Sequence, residues 1–390
     1  MLDKSSHSSL APLFSPETIP TETRSLVIGP YNQILSGPLQ MKLLTDGEMV
    51  VQAEFARGYA HRGIEKAMES IQWRAIPFYA GKIDPENAVF GEVAVCLAIE
   101  EISGVEIPLR AQAIRCLLME LSRISSHLRY LVGLAESLDF QTLKHFLLRD
   151  REKVLDLFEL LAGARYGNGF VRPGGVRDDV TDGFIERVNE FCELIPVRVR
   201  EYNDLFSFNE VFIGRARGLG ELTADLCFRS GVTGPNFRAS GGNFDLRLAR
   251  PYSFYNHLDF GGDTSTRVLA GVSDVHERVV ERIREIEQSR SLLSQLIERI
   301  PSGPHLSDAV GVEVKYTVPP GEAVGEVESP RGHFCAHVVS DGSIKPTRVQ
   351  FRAPSLGVLQ VCPDLVANIR IDDVFLVLAS LDIGISEADR

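Results

Sequence analysis

Hydrophobic and polar residues alternate along residues 25–57 and then take on a helical spacing. The pattern predicts a short strand from Ser25 to Ile28 and a β-hairpin from Leu39 to Phe55. The hairpin should turn at Asp46-Gly47, because this dipeptide suits a tight reversal of the chain. From Gly63 onward apolar residues recur every three or four positions, so we expect helices to follow the sheet.

Five later segments have the spacing of amphipathic helices. They are residues 91–103, the segment that begins at Pro108, and residues 149–161, 182–202 and 272–300. Pro196 predicts a bend or break in the fourth segment, because proline lacks the N–H that a helix interior uses.

The remaining segments complete a mixed pattern. Residues 214–262 are rich in glycine and predict loops, residues 311–351 return to β with a turn at Asp341-Gly342, and residues 361–389 predict helix and loop. We therefore expect an α+β fold, with a central helical bundle and β-sheet from segments near both ends. Residues 1–24 predict a flexible N-terminal arm, and residues 25–390 a single domain.

Composition narrows the classes of function. The chain has 390 residues, 44% of them hydrophobic, which is enough for a sizeable core. A net charge of −12 argues against nonspecific nucleic-acid binding. Neither a signal peptide nor an apolar run long enough to span a bilayer is evident. Six cysteines form no C-x-x-C pair, which argues against a disulfide framework and against an iron–sulfur cluster held by this chain.

The segment GYAHRGIEK, from Gly58 to Lys66, is the first candidate for chemistry. It places His61 and Arg62 beside a glycine and Glu65. An arginine next to a flexible glycine can approach an anionic centre closely. The alternative is a solvated helix start, with Glu65 near its positive end. We expect neither a nucleotide site nor a serine nucleophile, because phosphate-loop, dinucleotide and G-x-S-x-G motifs are missing.

A second candidate is the alternation of His333, Cys335 and His337 in a predicted strand. Alternation puts the three side chains on one face, where they could bind zinc or copper. A fourth ligand is not evident, and a solvated sheet face produces the same pattern. We therefore expect no metal on this chain.

Nine motifs occur in order within residues 26–390. They are GYAHRGIEK, RAQAIRCLLMELSRISSHL, RDREKVLDLFELLAGAR, RPGGVRDD, TGPNFRASG, ESPRG, VSDGS, FRAPS and SLDIGISEADR. With them the chain resembles the D subunit of the proton-pumping NADH–quinone oxidoreductase, respiratory complex I. That family is related to the large subunit of nickel–iron hydrogenases, so the resemblance implies a hydrogenase-large-subunit-like fold.

The resemblance also implies a location, partners and an enzymatic role. The chain would be a peripheral-arm subunit on the cytoplasmic face of the inner cell membrane, next to the B and C subunits and the membrane-arm subunits. With the B subunit it would form the cavity in which quinone, as substrate, meets the terminal iron–sulfur cluster of that partner. NAD binding, electron transport and ion translocation would belong to the whole complex. This chain itself would bind neither metal nor nucleotide.

By the same resemblance, particular residues take positions around that cavity. Near the partner's cluster would lie His61, Arg62, Asn168 and Arg172. Quinone-cavity positions would be held by Ser36, Gly37, Pro85 and Ser137. The charge of Arg62 would stabilise the reduced, more negative cluster. Glu65 and Glu86 are the candidates for handling protons, and a catalytic residue is not otherwise identified.

The chain departs from the family at the groups that would contact a quinone. Asn32 and Ser36 replace two histidines, Pro85 replaces the tyrosine that donates to the head group, and Ser137 replaces an aspartate. Serine does not titrate near neutrality, and proline has no N–H to donate. The usual proton relay is therefore absent.

The hydrogenase metal site is also missing. The two C-x-x-C pairs that hold nickel and iron would fall at Asp84 and Asn87 and within residues 382–386, where no cysteine stands. Hydrogen chemistry is therefore not expected.

Two functions stay open at this point. In the first, the chain walls a quinone or other electron-acceptor cavity and takes protons from water, Glu86 or the B subunit. In the second, it is a non-catalytic structural subunit of an energy-converting hydrogenase-related membrane complex. The retained Arg62 favours the first, and the lost head-group donors favour the second.

Overall fold

The computed structural model describes residues 23–32, 37–166, 169–261, 271–308 and 316–390. The chain begins with an antiparallel sheet in the order β1 (Arg24–Ile28), β2 (Gln40–Asp46) and β3 (Met49–Ala56). This confirms the predicted hairpin and its turn at Asp46-Gly47. The predicted N-terminal arm lies outside the described residues, except that Arg24 already belongs to β1.

Three helices lead from this sheet into a helical bundle. They are α1 (Ile64–Met68), α2 (Ile76–Ala80) and α3 (Ala88–Ser103), with a 3₁₀ turn at Pro85–Asn87 before α3. The bundle contains α4 (Leu109–Ser137), α5 (Gln141–Ala162) and α6 (Asp182–Tyr202). Helix α5 packs against both α4 and α6, and a later long helix packs against α4 and α6. None of the helices in the described ranges is both long enough and apolar enough to cross a membrane.

The middle of the chain consists of short elements. They are β4 (Val171–Arg172), β5 (Gly175–Val176), α7 (Glu210–Ala216), β6 (Leu222–Thr223), α8 (Ala224–Ser230), α9 (Gly234–Ala239), α10 (Leu246–Ala249) and β7 (Val272–Ser273). The long helix α11 (Val275–Arg299) follows and packs against α4 and α6 to complete the bundle.

The C-terminal part supplies a second antiparallel sheet and three helices. The sheet has the order β10 (Arg348–Arg352), β9 (Gly332–Ser340) and β8 (Gly321–Ser329), and it is followed by α12 (Ser355–Val366), α13 (Ile371–Leu381) and α14 (Ile385–Asp389). The α+β arrangement, with sheets from segments near both ends, is therefore confirmed.

One predicted helix start was wrong, the break predicted as one alternative at Pro196 does not occur, and a predicted loop-rich region also contains short helices. Helix α5 begins at Gln141, eight residues before the predicted start, because Leu143 and Leu147 extend its buried stripe between polar residues. Helix α6 continues through Pro196 to Tyr202, and a π-helical turn follows. Residues 214–262 contain α8, α9 and α10, which are too short to show a helical period.

The bundle interior contains charged side chains as well as apolar ones. Glu120, Arg123 and His127 of α4 are fully buried. The Glu120 carboxylate accepts hydrogen bonds from Arg123 and Arg247, and Nε2 of His127 lies 2.9 Å from Glu285 of α11. Removing one member would leave a buried charge without a partner, which is costly. The contact between His127 and Glu285 joins α4 to α11 inside the bundle.

The two ends of the chain converge on one another. The amide N of Val50 in β3 donates to the carbonyl of Ile369 (2.9 Å), and the Asn368 amide donates back to Val50 (2.7 Å). At the second sheet, a Cβ added to Gly325 of β8 would lie 1.8 Å from the carbonyl O of Ala94, so only glycine lets β8 pack this closely on α3. These contacts bring the 58–65 segment, the β8–β9 turn and the C-terminus together.

Candidate functional site

The segment that follows β3 is held in place by the C-terminus. The Asp389 carboxylate accepts hydrogen bonds from the backbone amides of Gly58 and Ala60, each at 2.9 Å. The Nδ1 atom of His61 lies 2.8 Å from the Asp389 carbonyl oxygen. Asp389, more than 300 positions away in sequence, thus holds this loop through both its carboxylate and its backbone carbonyl.

Arg62 lies between the loop before Pro85 and the C-terminal helix. Its Nη2 atom donates to the carbonyl oxygens of Ile83 (3.2 Å) and Ser386 (3.3 Å). Burial lowers the pKa of Arg62, while the nearby Asp84 acts in the opposite direction. The side chain still carries its charge at neutral pH, since an arginine pKa starts above 12. The residue as a whole remains exposed.

Glu65 points to the second sheet. Its carboxylate accepts a hydrogen bond from the backbone amide of Phe351 (2.9 Å) and lies 3.5 Å from Nη1 of Arg390. Arg348 lies 3.9 Å away. In the described part of the chain, Glu65 therefore fastens α1 to β10 and to the C-terminal residue.

A buried ionic cluster lies beside this segment and centres on Arg331 in the β8–β9 turn. Its guanidinium pairs with Asp84 and lies 3.4 Å from Asp382 and 3.8 Å from Glu86. Burial alone would lower the pKa of Arg331, but the carboxylates of Asp84, Asp382, Glu387 and Glu86 raise it well above its usual value. We call this set of residues the Arg331 cluster.

Glu387 is the deepest carboxyl of the Arg331 cluster. It is only 1% exposed and accepts hydrogen bonds from the Ser355 hydroxyl and from the Ser355 amide at 3.2 Å. Burial raises the pKa of Glu387 to about 7; Arg331 lowers it and Asp84 raises it. A Cβ at Gly384 would lie 2.9 Å from Cγ of Glu387, so glycine is needed for this close approach.

A cavity of about 50 Å³ opens next to the Arg331 cluster. Arg331, Asp382 and Glu86 form its polar side, and Ile385 is part of its apolar side. Gly37 abuts Ile385, because a Cβ there would lie 2.8 Å from the Cβ of Ile385. A small ligand group in this cavity would meet two guanidinium groups, those of Arg331 and Arg129, and several carboxylates.

Comparison with known protein families shows to which family the chain belongs. A family model described as respiratory-chain NADH dehydrogenase, 49 kDa subunit, matches residues 138–390. The chain belongs to this family. The resemblance predicted from the ordered motifs is therefore confirmed.

Individual members of the family match along almost the whole chain. The NADH-quinone oxidoreductase D subunit of Desulforamulus reducens is 38% identical over 374 residues, covering 95% of this chain and 100% of the relative. The second such D subunit of Solibacter usitatus is 38% identical over 365 residues, covering 94% and 96%. A chain of the membrane-bound sulfane sulfur reductase, an archaeal respiratory membrane complex, has a TM-score of 0.90 at 34% identity, covering 96% of this chain and 100% of that one.

The residues predicted from the family resemblance fall into distinct places. His61 and Arg62 lie in the loop after β3, and Pro85 begins the 3₁₀ turn before α3. Glu86 lines the cavity, and Gly37 abuts Ile385, which also lines it. The Ser137 hydroxyl donates to the Leu134 carbonyl of its own helix (2.7 Å). Ser36 and Asn168 lie outside the described residues.

Arg172 lies on β4, in a part of the structure that α3 supports. The carbonyl oxygen of Arg172 accepts a hydrogen bond from Arg115 (2.7 Å). The adjoining loop is held by Glu92, whose carboxylate accepts from the amides of Gly169 (2.6 Å) and Val171 (3.1 Å). Burial raises the pKa of Glu92 to about 8 although these amides lower it. Glu92 thus positions the strand that carries Arg172.

Glu387 and Ser355 form a pair that no sequence pattern reveals. They are 32 positions apart, and neither residue type signals burial by itself. Arg331 belongs to the ESPRG motif, but its partner Asp84 lies 247 positions away. Local spacing carries no information about such contacts, so these residues were missed as a group.

Proposed function

We propose that this chain is the peripheral-arm subunit of a complex I-type membrane oxidoreductase. With a partner of the B-subunit type it would wall the electron-acceptor cavity beside that partner's terminal iron–sulfur cluster, with quinone as the acceptor. The relatives named as NADH-quinone oxidoreductase subunits support this proposal. So does the respiratory membrane complex with the similar chain.

The observation that carries the proposal is the environment of the Arg62 guanidinium. Carbonyl oxygens hold its guanidinium, and within the described ranges no carboxylate lies within 4 Å of it. Its positive charge is therefore not cancelled at contact distance. A fixed cation at an exposed edge suits a reduced cluster on an adjoining subunit, because each added electron there is stabilised by Coulomb attraction.

Protons for the acceptor need a different source from the family's usual one. Pro85 has no N–H, and the Ser137 hydroxyl is used within its own helix. Glu86 lines the cavity and lies 3.6 Å from Arg129 and 3.8 Å from Arg331, so it stands where a carboxyl could pass protons inward. Glu86, water or a group of the cluster-bearing partner would supply them.

A second candidate function is a structural subunit that passes no electrons to an acceptor. The observation in its favour is the same pair of positions, Pro85 and Ser137, which offer no free hydrogen-bond donor to a head group. In this case the Arg331 cluster would serve to close the former metal site, and Arg62 would contribute only to the interface.

Turnover of the assembled complex separates the two candidates. We expect the purified complex, with its clusters reduced, to reduce a water-soluble quinone, and a quinone-site inhibitor to block that reaction. The same preparation should be offered a polysulfide. Inhibitor-insensitive or absent quinone reduction with intact clusters would count against the quinone proposal. Reduction of polysulfide alone would instead assign a sulfane-sulfur acceptor, and reduction of neither would leave the structural role.

Replacing Arg62 tests its electrostatic role directly. A unit charge about 10 Å from the cluster contributes ~1.7 kcal/mol at an effective dielectric constant of 20, which is equivalent to roughly 70 mV for one electron. We therefore expect Arg62→Met to lower the midpoint potential of the nearest cluster by roughly 50–100 mV. Redox titration of the complex, followed by electron paramagnetic resonance, measures it. Arg62→Lys keeps the charge and should keep the potential; an unchanged potential in Arg62→Met would show that Arg62 does not face the cluster.

A further inference from the structure

Three side chains with different ligand atoms meet on the outer face of the second sheet. His333 and Cys335 alternate along β9, and Glu326 stands directly opposite Cys335 on β8. The His333 Nε2 atom lies 2.9 Å from Oε1 of Glu326 and 3.3 Å from Sγ of Cys335. The third side of the triangle, from Sγ to Oε1, is 3.9 Å.

The triangle has the dimensions of three ligands on one tetrahedral zinc ion. Zinc–sulfur bonds of about 2.3 Å and zinc–nitrogen or zinc–oxygen bonds of about 2.0–2.2 Å place neighbouring ligand atoms about 3.3–3.6 Å apart. The separation between His333 and Cys335 (3.3 Å) lies within this range. The one between His333 and Glu326 (2.9 Å) is shorter and the one between Cys335 and Glu326 (3.9 Å) is longer, each by less than 0.5 Å. A thiolate, an imidazole and a carboxylate are together a ligand set that suits zinc.

The strand geometry fixes two of these ligands without any loop. Residues two apart on a strand project from the same face, and directly opposed residues on antiparallel strands have adjacent Cβ atoms. The His333 side chain is only 15% exposed and that of Glu326 24%, so the site is shallow but sheltered. The ring of Phe244 lies against His333, with centroids 6.2 Å apart, and restricts its rotation.

His337 does not belong to this set, although the sequence pattern included it. Its Nε2 atom lies 3.3 Å from Glu322, and both side chains are well exposed. The candidate ligand His337 therefore lies outside the triangle, and Glu326, which the sequence pattern did not indicate, takes the third place.

Arginine side chains occupy part of the outer coordination space. Arg250 donates to both oxygens of Glu326, at 2.7 and 3.0 Å. Its side chain is 63% exposed, so it can release Oε1 to a metal while remaining paired with Oε2. Arg352 donates to the carbonyls of His333 and Gly231 and also forms a hydrogen bond with the Cys335 side chain. Its positive charge favours the thiolate form of Cys335 that a metal would bind.

We propose that Glu326, His333 and Cys335 form a three-ligand site for a zinc-class divalent cation, with water in the fourth position. Binding displaces the thiol proton of Cys335 to solvent, and the ion forms bonds to Sγ, Nε2 and Oε1. The site lies on the second sheet, and its proposal does not depend on the proposed function.

Cobalt is a sensitive probe of this site, because a Co²⁺–thiolate bond gives a charge-transfer band and tetrahedral Co²⁺ absorbs in the visible. We expect the full chain, treated with a chelator and then titrated with CoCl₂, to develop both signals with one equivalent. ZnCl₂ should abolish them by displacement. The charge-transfer band should be missing in Cys335→Ser, and His333→Ala should bind on the order of 10-fold or more weakly. The control His337→Ala should match the unaltered chain.

Thermal unfolding gives a second measurement that does not need the spectrum. Zinc that binds only the folded chain raises its melting temperature, and we expect this rise in the unaltered chain and in His337→Ala but not in Cys335→Ser. The proposal is overturned if the unaltered chain shows no thiolate band, if the band persists in Cys335→Ser, or if His337→Ala loses it to the same extent as His333→Ala.

Discussion

Replacing Arg331 by methionine is expected to destabilise the folded chain by about 3–5 kcal/mol at pH 8. The reason is that Asp84, Asp382 and Glu387 would remain near one another without the buried cation that they share. Methionine fills much of the same volume, so the loss comes from charge and not from a cavity. Urea unfolding of the full chain, followed by circular dichroism, measures the change in free energy.

An exposed ion pair provides the matched control. Arg187 and Glu190 of α6 are paired, but both side chains are about two-thirds exposed. Arg187→Met should therefore change stability by less than about 1 kcal/mol. The penalty of Arg331→Met should also shrink toward pH 5, because the carboxyls that lost their cation then take up protons more readily. A penalty as small as that of Arg187→Met, or one independent of pH, would contradict the role of Arg331.

Replacing Glu387 by glutamine should remove a pH dependence of stability that this carboxyl causes. The pKa of Glu387 is raised from 4.5 to about 7 in the folded chain, first by burial and further by Asp84, with Arg331 opposing. Between these two pH values the folded state holds more protons than the unfolded state, so stability falls as pH rises. This difference in pKa corresponds to about 3 kcal/mol of folding stability, which is fully lost above pH 7.

Glutamine keeps an oxygen that can accept from Ser355 but cannot ionise. We therefore expect Glu387→Gln to be about 3 kcal/mol more stable than the unaltered chain at pH 8 and equal to it near pH 4.5. Unfolding curves at several pH values measure this. Glu190→Gln, at an exposed site on α6, should leave the slope unchanged. If Glu387→Gln shows the same slope as the unaltered chain, Glu387 is not the titrating group.

The Arg331 cluster joins the two segments at which the hydrogenase resemblance would place metal-binding thiols. By the hydrogenase resemblance, metal-binding thiols would fall at Asp84 and near Asp382, and the structure brings these two carboxylates to one guanidinium. Opposite charges at these positions fasten the loop before Pro85 to the C-terminal segment. The carbonyls of Ile83 and Ser386, which hold Arg62, belong to the same two segments.

Local patterns predicted the elements well wherever the period was long and uninterrupted. The alternation in β2 and β3 and the turn dipeptide Asp46-Gly47 led to the correct hairpin. The apolar stripe of α4 did the same for the longest helix. The start of α5 was missed although Leu143 and Leu147 already follow the helical spacing. The helices between residues 214 and 262 were missed because they span two turns or fewer.

The candidate site was predictable in part, because its motifs are local and ordered. GYAHRGIEK identified His61 and Arg62, and the C-terminal motif identified the segment that contacts them. Their orientations were not predictable. Glu65 fastens β10, Ser137 binds its own helix, and Glu326 joins His333 and Cys335 across two strands.

The sequence by itself determined the family and the α+β class, and it predicted that the family's usual donors are missing at positions such as Pro85, because residue identity is a local property. The tertiary structure alone decided which charges meet. Arg331 reaches Asp84 and Asp382, and Glu387 is buried deeply enough for its pKa to rise to about 7. These outcomes depend on distances between segments far apart in the chain and on exclusion of water, and neither is set until the two ends of the chain pack together.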